Sequence, residues 1–284
     1  MKTDPSSRRK FFASAAFGTI AISTKAFPVG NYSASMDHLS KQEVFHRYPS
    51  IDDEIVAEVV GASHFNLERV KELVNPRPEL ARATWDWAFG DWETALGAAS
   101  HVGRRDIAEF LMSKGARADI FTFAMFGAYK VVRAMIETSP GIQSVAGPHG
   151  ISLLQHAKNG LRSEGLTQKD KKQANKLIGF LESLGNADVE QKYLEMNEGE
   201  KEKYLGDYKY GGGPNDGFSV RLNMQKSLSL GKLGKFGGGL NRKAEHIFHY
   251  NGTPSVEISF LVVDGAVLSL TVHEPGFELT ANKI

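Results

Sequence analysis

The chain has 284 residues, a net charge of +1, 41% apolar residues and 24% charged residues. That is the balance of a soluble globular protein with room for two domains, and it lacks the concentrated basic character that a nucleic-acid binder needs. There is no cysteine, which excludes disulfides, thiolate metal sites, cysteine nucleophiles and a lipid-modified cysteine anchor.

At the N-terminus, Ser7-Arg8-Arg9-Lys10-Phe11-Phe12 resembles a bacterial twin-arginine export signal. The apolar run that follows, residues 11–22, is shorter than the roughly 20 residues a membrane-spanning helix needs. Small residues near Thr24-Lys25-Ala26 offer a cleavage point. Residues 1–29 are therefore set apart from the fold. The resemblance implies a mature protein in the periplasm or outside the cell, with no stable membrane anchor once the signal is cleaved. Twin-arginine export carries folded cargo, which suits a cofactor protein, yet no cofactor motif is present and none is expected. Residues 30–50 form a polar lead-in.

From residue 51 apolar residues recur at helical spacing. The clearest unit is residues 94–119. Leu96, Ala98 and Ala99 give a first helix a small-residue face, and Gly103 permits a tight turn because glycine enters left-handed conformations without a Cβ penalty. Ile107, Phe110 and Leu111 follow on a second helix, which Gly115 ends as a C′ glycine. This pattern resembles one ankyrin repeat, with Ala95 and Gly97 replacing the family's Pro and His. A first copy carries Val70, Leu73 and Val74 at the positions of Ile107, Phe110 and Leu111. A third carries Val132, Met135 and Ile136, and a fourth runs from Ser152 to Leu177, Phe180, Leu181 and Gly185. The resemblance covers about 51–188, four repeats around a period of roughly 33 residues, with a polar insertion at 162–173. The connection after Val74 is enlarged and holds Trp85, Trp87, Phe89 and Trp92. The one between Leu111 and Ala124 is short, so the finger there is expected to be lost.

Residues 189–203 read as a charged, helix-permissive connector. In 204–284 the period falls to 2. Phe218, Val220, Leu222 and Met224 alternate with polar residues, as do Val256, Ile258, Phe260 and Val262, and Asp264-Gly265 is a hairpin signal before Leu268, Leu270 and Val272. Gly211 to Gly213 and Gly237 to Gly239 read as turn material. Seven or eight antiparallel strands in a sheet or barrel are expected. Tyr204-Leu-Gly-Asp-Tyr208, the stretch from His246 to Gly252 and the hairpin from Ser255 to His273 resemble the lipocalin-like β-barrel appended to serine β-lactamase-related hydrolases. In that family the barrel is accessory and the catalytic residues lie elsewhere. The fold class is thus α+β and multidomain, a helical repeat stack followed by a small antiparallel β-barrel or sheet.

Nucleophile-elbow, Walker-type, Rossmann and His-Glu-x-x-His patterns are absent from the sequence. Ser229-Leu-Gly-Lys232 fits Ser-x-x-Lys but falls in a strand-and-turn region. The odd spacing of His246 and His249 in a strand sends them to opposite faces. His64 and His101 occupy equivalent positions at the ends of first helices, with Phe126 in that place in the third copy. Adjacent helices pack roughly 8–10 Å apart, which predicts a ladder of side chains too widely spaced for two imidazoles to share one metal ion at about 2 Å; no metal site is expected. His149, on the tip before the fourth repeat, faces the same groove, and Asp86 and Asp91 lie in the tryptophan finger.

These features predict a non-enzymatic protein that binds a partner, expected to be another protein, through Trp85, Trp87, Trp92, His64, His101, Phe126 and His149. Exposed tryptophan favours interfaces because it buries a large area at little entropy cost; the alternative for these rings is a satellite core against the helices or the β domain. A second reading is a small apolar ligand held in the barrel or at the domain junction, lined by Phe218, Phe248, Phe260 and Phe277. A third is a hydrolase or isomerase, which would require His64, His101, His149 and Asp86 to converge in one pocket.

Overall fold

The computed structural model describes residues 48–188, 193–223, 226–235 and 237–284. Contacts divide the chain into Met1–Tyr48 and Pro49–Ile284. The export pattern at 1–29, nearly all of the lead-in at 30–50, and Met224 lie outside the described residues. The helices and strands described all belong to Pro49–Ile284.

Inner helices of the α-helical half open on a short polar residue whose side chain accepts a backbone N–H, the capping that satisfies an otherwise orphaned donor. Asp52 caps α1 (Asp53–Ala62), Thr94 caps α3 (Ala95–Val102), Asp119 caps α5 (Ile120–Met125) and Ser152 caps α7 (Leu153–Asn159). Each is paired with an outer helix: α2 (Leu67–Val74), α4 (Arg105–Ser113), α6 (Tyr129–Thr138) and α8 (Gln168–Leu184). The inner helices pack on one another in chain order, α1 on α3, α3 on α5 and α5 on α7. Helix α3 is buried from Ala95 to His101, as its run of small residues requires. The expected anchors Val70, Ile107, Val132 and Leu177 are all buried.

Two glycines set the closeness of this packing. Gly103 ends α3 in the left-handed region (φ 84°), and a β-carbon there would lie 2.3 Å from the Asn159 carbonyl oxygen. A β-carbon at Gly160 would lie 1.9 Å from the carbonyl of Met125. Asn159 itself donates from Nδ2 to the His101 carbonyl at 2.6 Å, tying the end of α3 to the end of α7. The polar insertion expected at 162–173 is shorter than it reads. Thr167 and Asp170 form a capping box that starts α8 at Gln168, so the second half of the insertion is the first turn of a helix.

The enlarged connection after α2 holds a 3-10 turn (Pro78–Arg82) and a hairpin of β1 (Thr84–Asp86) and β2 (Trp92–Thr94), with Trp85 opposite Glu93. Asp86 Oδ1 accepts the Gly90 N–H at the tip. Trp85 and Trp87 pack against the core formed by α1 to α4, whereas Ala88 and Phe89 pack against the core of the β half. The Phe89 ring meets Tyr250 edge-on at 4.8 Å.

The β half follows a short helix, α9 (Glu198–Glu202). It is a closed antiparallel barrel of eight strands in chain order: β3 (Gly206–Lys209), β4 (Gly217–Leu222), β5 (Leu228–Lys232), β6 (Gly238–Ala244), β7 (Ile247–Tyr250), β8 (Thr253–Val263), β9 (Ala266–Glu274) and β10 (Phe277–Lys283), with β10 closing on β3. Asp264 and Gly265 form the β8–β9 turn, as expected. Gly238 and Gly239 depart from expectation, lying in strand β6 rather than in a turn. A β-carbon at Gly238 would come 2.5 Å from the Tyr250 ring and hydroxyl, so glycine admits a tyrosine rather than bending the chain. Tyr204, Tyr208, Tyr250, Phe248 and Phe260 are buried in the barrel core. Of the residues expected to line a ligand space, Phe248 and Phe260 are buried among these rings, Phe218 packs against them half-buried, and Phe277 is 54% exposed. Among the described residues no helix is long and apolar enough to cross a membrane.

Candidate metal centre

Four elements deliver side chains to one point: His64 from just beyond α1, Glu93 from β2, His101 from the last turn of α3, and His149 from the loop before α7. One ligand atom from each of the four residues can be chosen so that all lie within 4.8 Å of one another. The rings of His64 and His101 have centroids only 4.9 Å apart, and those of His101 and His149 5.2 Å. This corrects the expectation that helix spacing keeps His64 and His101 from sharing an ion. Axis separation limits backbones, but an imidazole reaches several ångströms from its Cα, and both rings lean toward Glu93.

Glu93 is the centre of the cluster and is fully buried. Its Oε1 lies 3.0 Å from His101 Nε2 and 3.4 Å from His149 Nε2, and its Oε2 lies 3.4 Å from His64 Nε2. Trp87 Nε1 donates to Oε2 at 2.7 Å, leaving Oε1 free of the indole. Glu93 is not among the residues to which the sequence points. One signal was available: alternation puts Glu93 on the same face of the hairpin as Trp85, so a carboxylate shares the inward side with aromatic rings.

The imidazoles are oriented from behind. His64 Nδ1 donates to the Gly61 carbonyl at 3.0 Å, which leaves its Nε2 toward Glu93. His149 Nδ1 meets Asp91 Oδ2 at 2.6 Å, and the His149 backbone N–H donates to Asp91 Oδ1 at 2.9 Å. A metal-binding histidine characteristically gives its second nitrogen to a carbonyl or carboxylate in this way. By contrast, His101 Nε2 and Glu93 Oε1 face each other across 3.0 Å, buried and without a hydrogen bond.

Burial shapes the charges. It lowers the His64 pKa. It would also lower that of His149, but Asp91 and Glu93 outweigh it and push that group up to about 10. Burial alone would raise the Glu93 carboxyl, yet the facing His101 and His149 hold it well below the usual carboxylate range. Behind them, His156 donates from Nδ1 to the Ser152 carbonyl at 2.8 Å, its Nε2 is buried without a partner, and burial lowers its pKa to about 4. A group depressed from 6.5 to about 4 contributes stability above pH 6.5 and loses it as pH falls toward 4, because only the unfolded chain takes up the proton. Between pH 7.5 and pH 5 the wild type is expected to lose about 2 kcal/mol relative to a His156→Gln variant. Urea midpoints of both proteins at the two pH values measure it, and parallel pH trends would contradict it.

The remaining expected residues lie elsewhere. Trp85 packs on the helices, and Trp92 turns outward at 61% exposure. Phe126 lies under the Arg105 guanidinium, 5.2 Å from ring centroid to Cζ. Asp86 serves the hairpin tip, so Asp91 rather than Asp86 joins the histidines. His246 pairs with the Tyr204 hydroxyl, while His249 faces Glu257. One further relay, Ser259 to His273 Nε2 at 2.8 Å and His273 Nδ1 to Glu278 at 2.9 Å, crosses the outer wall of the barrel. Ser259 pairs with Thr271 in the β8–β9 ladder, so the neighbouring backbone N–H groups are committed to the sheet rather than free to stabilise an oxyanion. No protein-family model and no curated protein matches this chain.

Proposed function

We propose that the protein is a metalloprotein that binds one divalent transition-metal ion through His64 Nε2, His101 Nε2, His149 Nε2 and Glu93 Oε1. The observation that carries this reading is the convergence of one ligand atom from each of three imidazoles and a buried carboxylate within 4.8 Å, with His101 Nε2 and Glu93 Oε1 buried and facing each other at 3.0 Å. Donors bound at about 2.1 Å to one ion lie about 3.4 Å apart, the separation of Glu93 Oε1 from His149 Nε2. His101 Nε2 lies slightly closer to Oε1, at 3.0 Å, and His64 Nε2 lies 3.4 Å from the other oxygen, Oε2. Three imidazoles with one carboxylate suit zinc, iron, copper or nickel better than calcium or magnesium.

Glu93 and His101 seal one side of the centre, while the His64 and His149 side chains are 21% and 19% exposed. Four protein donors would fill a tetrahedral sphere, so a water or substrate would join the ion only as a fifth ligand, from the side of His64 and His149. The histidines turn inward toward Glu93, which weighs against protein recognition by their rings. The four helix pairs support an ankyrin-type stack, and the closed barrel is consistent with a lipocalin-like module. The twin-arginine pattern supports export as a folded, metal-loaded protein.

Zinc at a free concentration a thousandfold above its dissociation constant is expected to stabilise the chelator-treated protein by about 4 kcal/mol, raising Tm by about 10 °C. Cobalt in its place should give a visible spectrum of four- or five-coordinate nitrogen and oxygen ligation that azide perturbs. A Tm unmoved by zinc and its congeners would sink the metal reading. A cobalt spectrum indifferent to azide would remove the open position.

A further inference from the structure

His149 is the ligand that needs the most help to be where it is. Its backbone lies in the left-handed region at φ 58°, where a residue with a β-carbon persists only when its surroundings hold it. It comes from an irregular loop, whereas His101 stands on a helix and Glu93 on a strand. What holds it is Asp91, 3% exposed, whose two oxygens take the His149 backbone N–H and ring Nδ1 separately. Because the carboxylate accepts from Nδ1, Nε2 is the nitrogen left toward Glu93.

Asp91 is in turn held from the barrel. Gly252, in the turn joining β7 to β8, lies so close that a β-carbon on it would come 2.5 Å from Asp91 Oδ1 and 2.7 Å from Cγ. A β-carbon on Gly150, next to His149, would lie 3.7 Å from the Gly252 nitrogen. The barrel turn therefore backs both the carboxylate and the loop that carries the histidine. The hairpin beside it is anchored to the same barrel by Phe89 against Tyr250.

We propose that the β7–β8 turn of the barrel is a positioning element of the metal centre: Gly252 lets the turn close on Asp91, and Asp91 sets the place and the free nitrogen of His149. This rests on the metal-centre reading and gives the barrel a role in it, although the barrel supplies no ligand. Outer partners of this kind change metal affinity by about 10–100-fold when they are removed.

A matched pair of glycines tests it in the full chain. Gly252 and Gly265 both sit in barrel turns at positive φ, 78° and 81°, but a β-carbon at Gly265 meets nothing within 4 Å. Alanine imposes similar backbone strain at either position, and only Gly252→Ala pushes on Asp91. Cobalt titration of Gly252→Ala is expected to show affinity lowered about 10–100-fold and an altered visible spectrum, with Gly265→Ala like the wild type. Asp91→Asn, which leaves the barrel untouched, should show the same loss. Hydrogen exchange of the His149 amide in the metal-free proteins is the second readout, expected to be faster in Gly252→Ala and Asp91→Asn alone. If Gly252→Ala matches Gly265→Ala in both readouts, the barrel does not position the site and the proposal is overturned. A wild type that takes up no cobalt would instead overturn the metal reading, while the exchange measurement would still decide whether the turn holds His149.

Discussion

A Glu93→Gln variant is expected to lose more metal affinity than the about 10–100-fold that removing an outer partner costs, and to be less stable than the wild type even without metal. Glu93 supplies the one charged ligand, and its carboxylate is the atom group shared by all three histidines. Glutamine preserves shape and can still accept the Trp87 indole N–H, so the hairpin stays in place and the loss reports charge and ligation. In the metal-free protein the carboxylate is the buried partner of the His149 imidazolium. Removing one member of a buried ion pair costs about 3–5 kcal/mol, because the other is left uncompensated. Asp91 still faces His149, which places the expectation at the lower end, about 3 kcal/mol. Calorimetric titration with zinc and urea denaturation of the chelated protein measure the two effects. Wild-type affinity in Glu93→Gln would remove Glu93 from the ligand set.

Gly103→Ala is expected to destabilise the helical half by about 3–4 kcal/mol. Left-handed backbone costs a residue with a β-carbon about 1–2 kcal/mol. Here the new methyl would also lie 2.3 Å from the Asn159 carbonyl, and such overpacking adds about 1–3 kcal/mol. Gly115→Ala isolates the first contribution, since Gly115 is also left-handed (φ 96°) but a β-carbon there meets nothing within 4 Å. It should cost only about 1–2 kcal/mol. Equal losses in the two variants would show that the approach to Asn159 is unimportant. Because Asn159 donates to the His101 carbonyl, Gly103→Ala should also weaken zinc binding, whereas Gly115→Ala should not.

The helices were legible because local chemistry writes them. Apolar residues at helical spacing and glycines at Gly103 and Gly115 each act within a few residues, as do the caps at Asp52, Thr94, Asp119 and Ser152 that the structure adds to them. The enlarged connection was legible from its length and its tryptophans, Trp85, Trp87 and Trp92, and the β8–β9 turn from Asp264-Gly265. Gly238 reads as turn material but lies in β6, where it makes room for a neighbour 12 residues away in β7, Tyr250. Nothing local distinguishes a glycine that bends the chain from one that admits the Tyr250 ring.

The metal centre divides in the same way. His64 and His101 stand out in the sequence because they recur in register in two repeats, and His149 because it precedes the fourth. Their residue types and places belong to the sequence itself, as does the carboxylate of Asp91 in the tryptophan finger, whereas Asp86, read beside it, serves the hairpin tip. Their convergence does not. It depends on how far side chains reach across stacked helices, on which face of a three-residue strand turns inward, and on a barrel turn that closes behind Asp91. The periodicities of 3.6 and 2 say which residues of one element share a face, and they carry no information about which faces meet. Only the packed chain brings Glu93, silent in sequence, to the point where three imidazoles can share it.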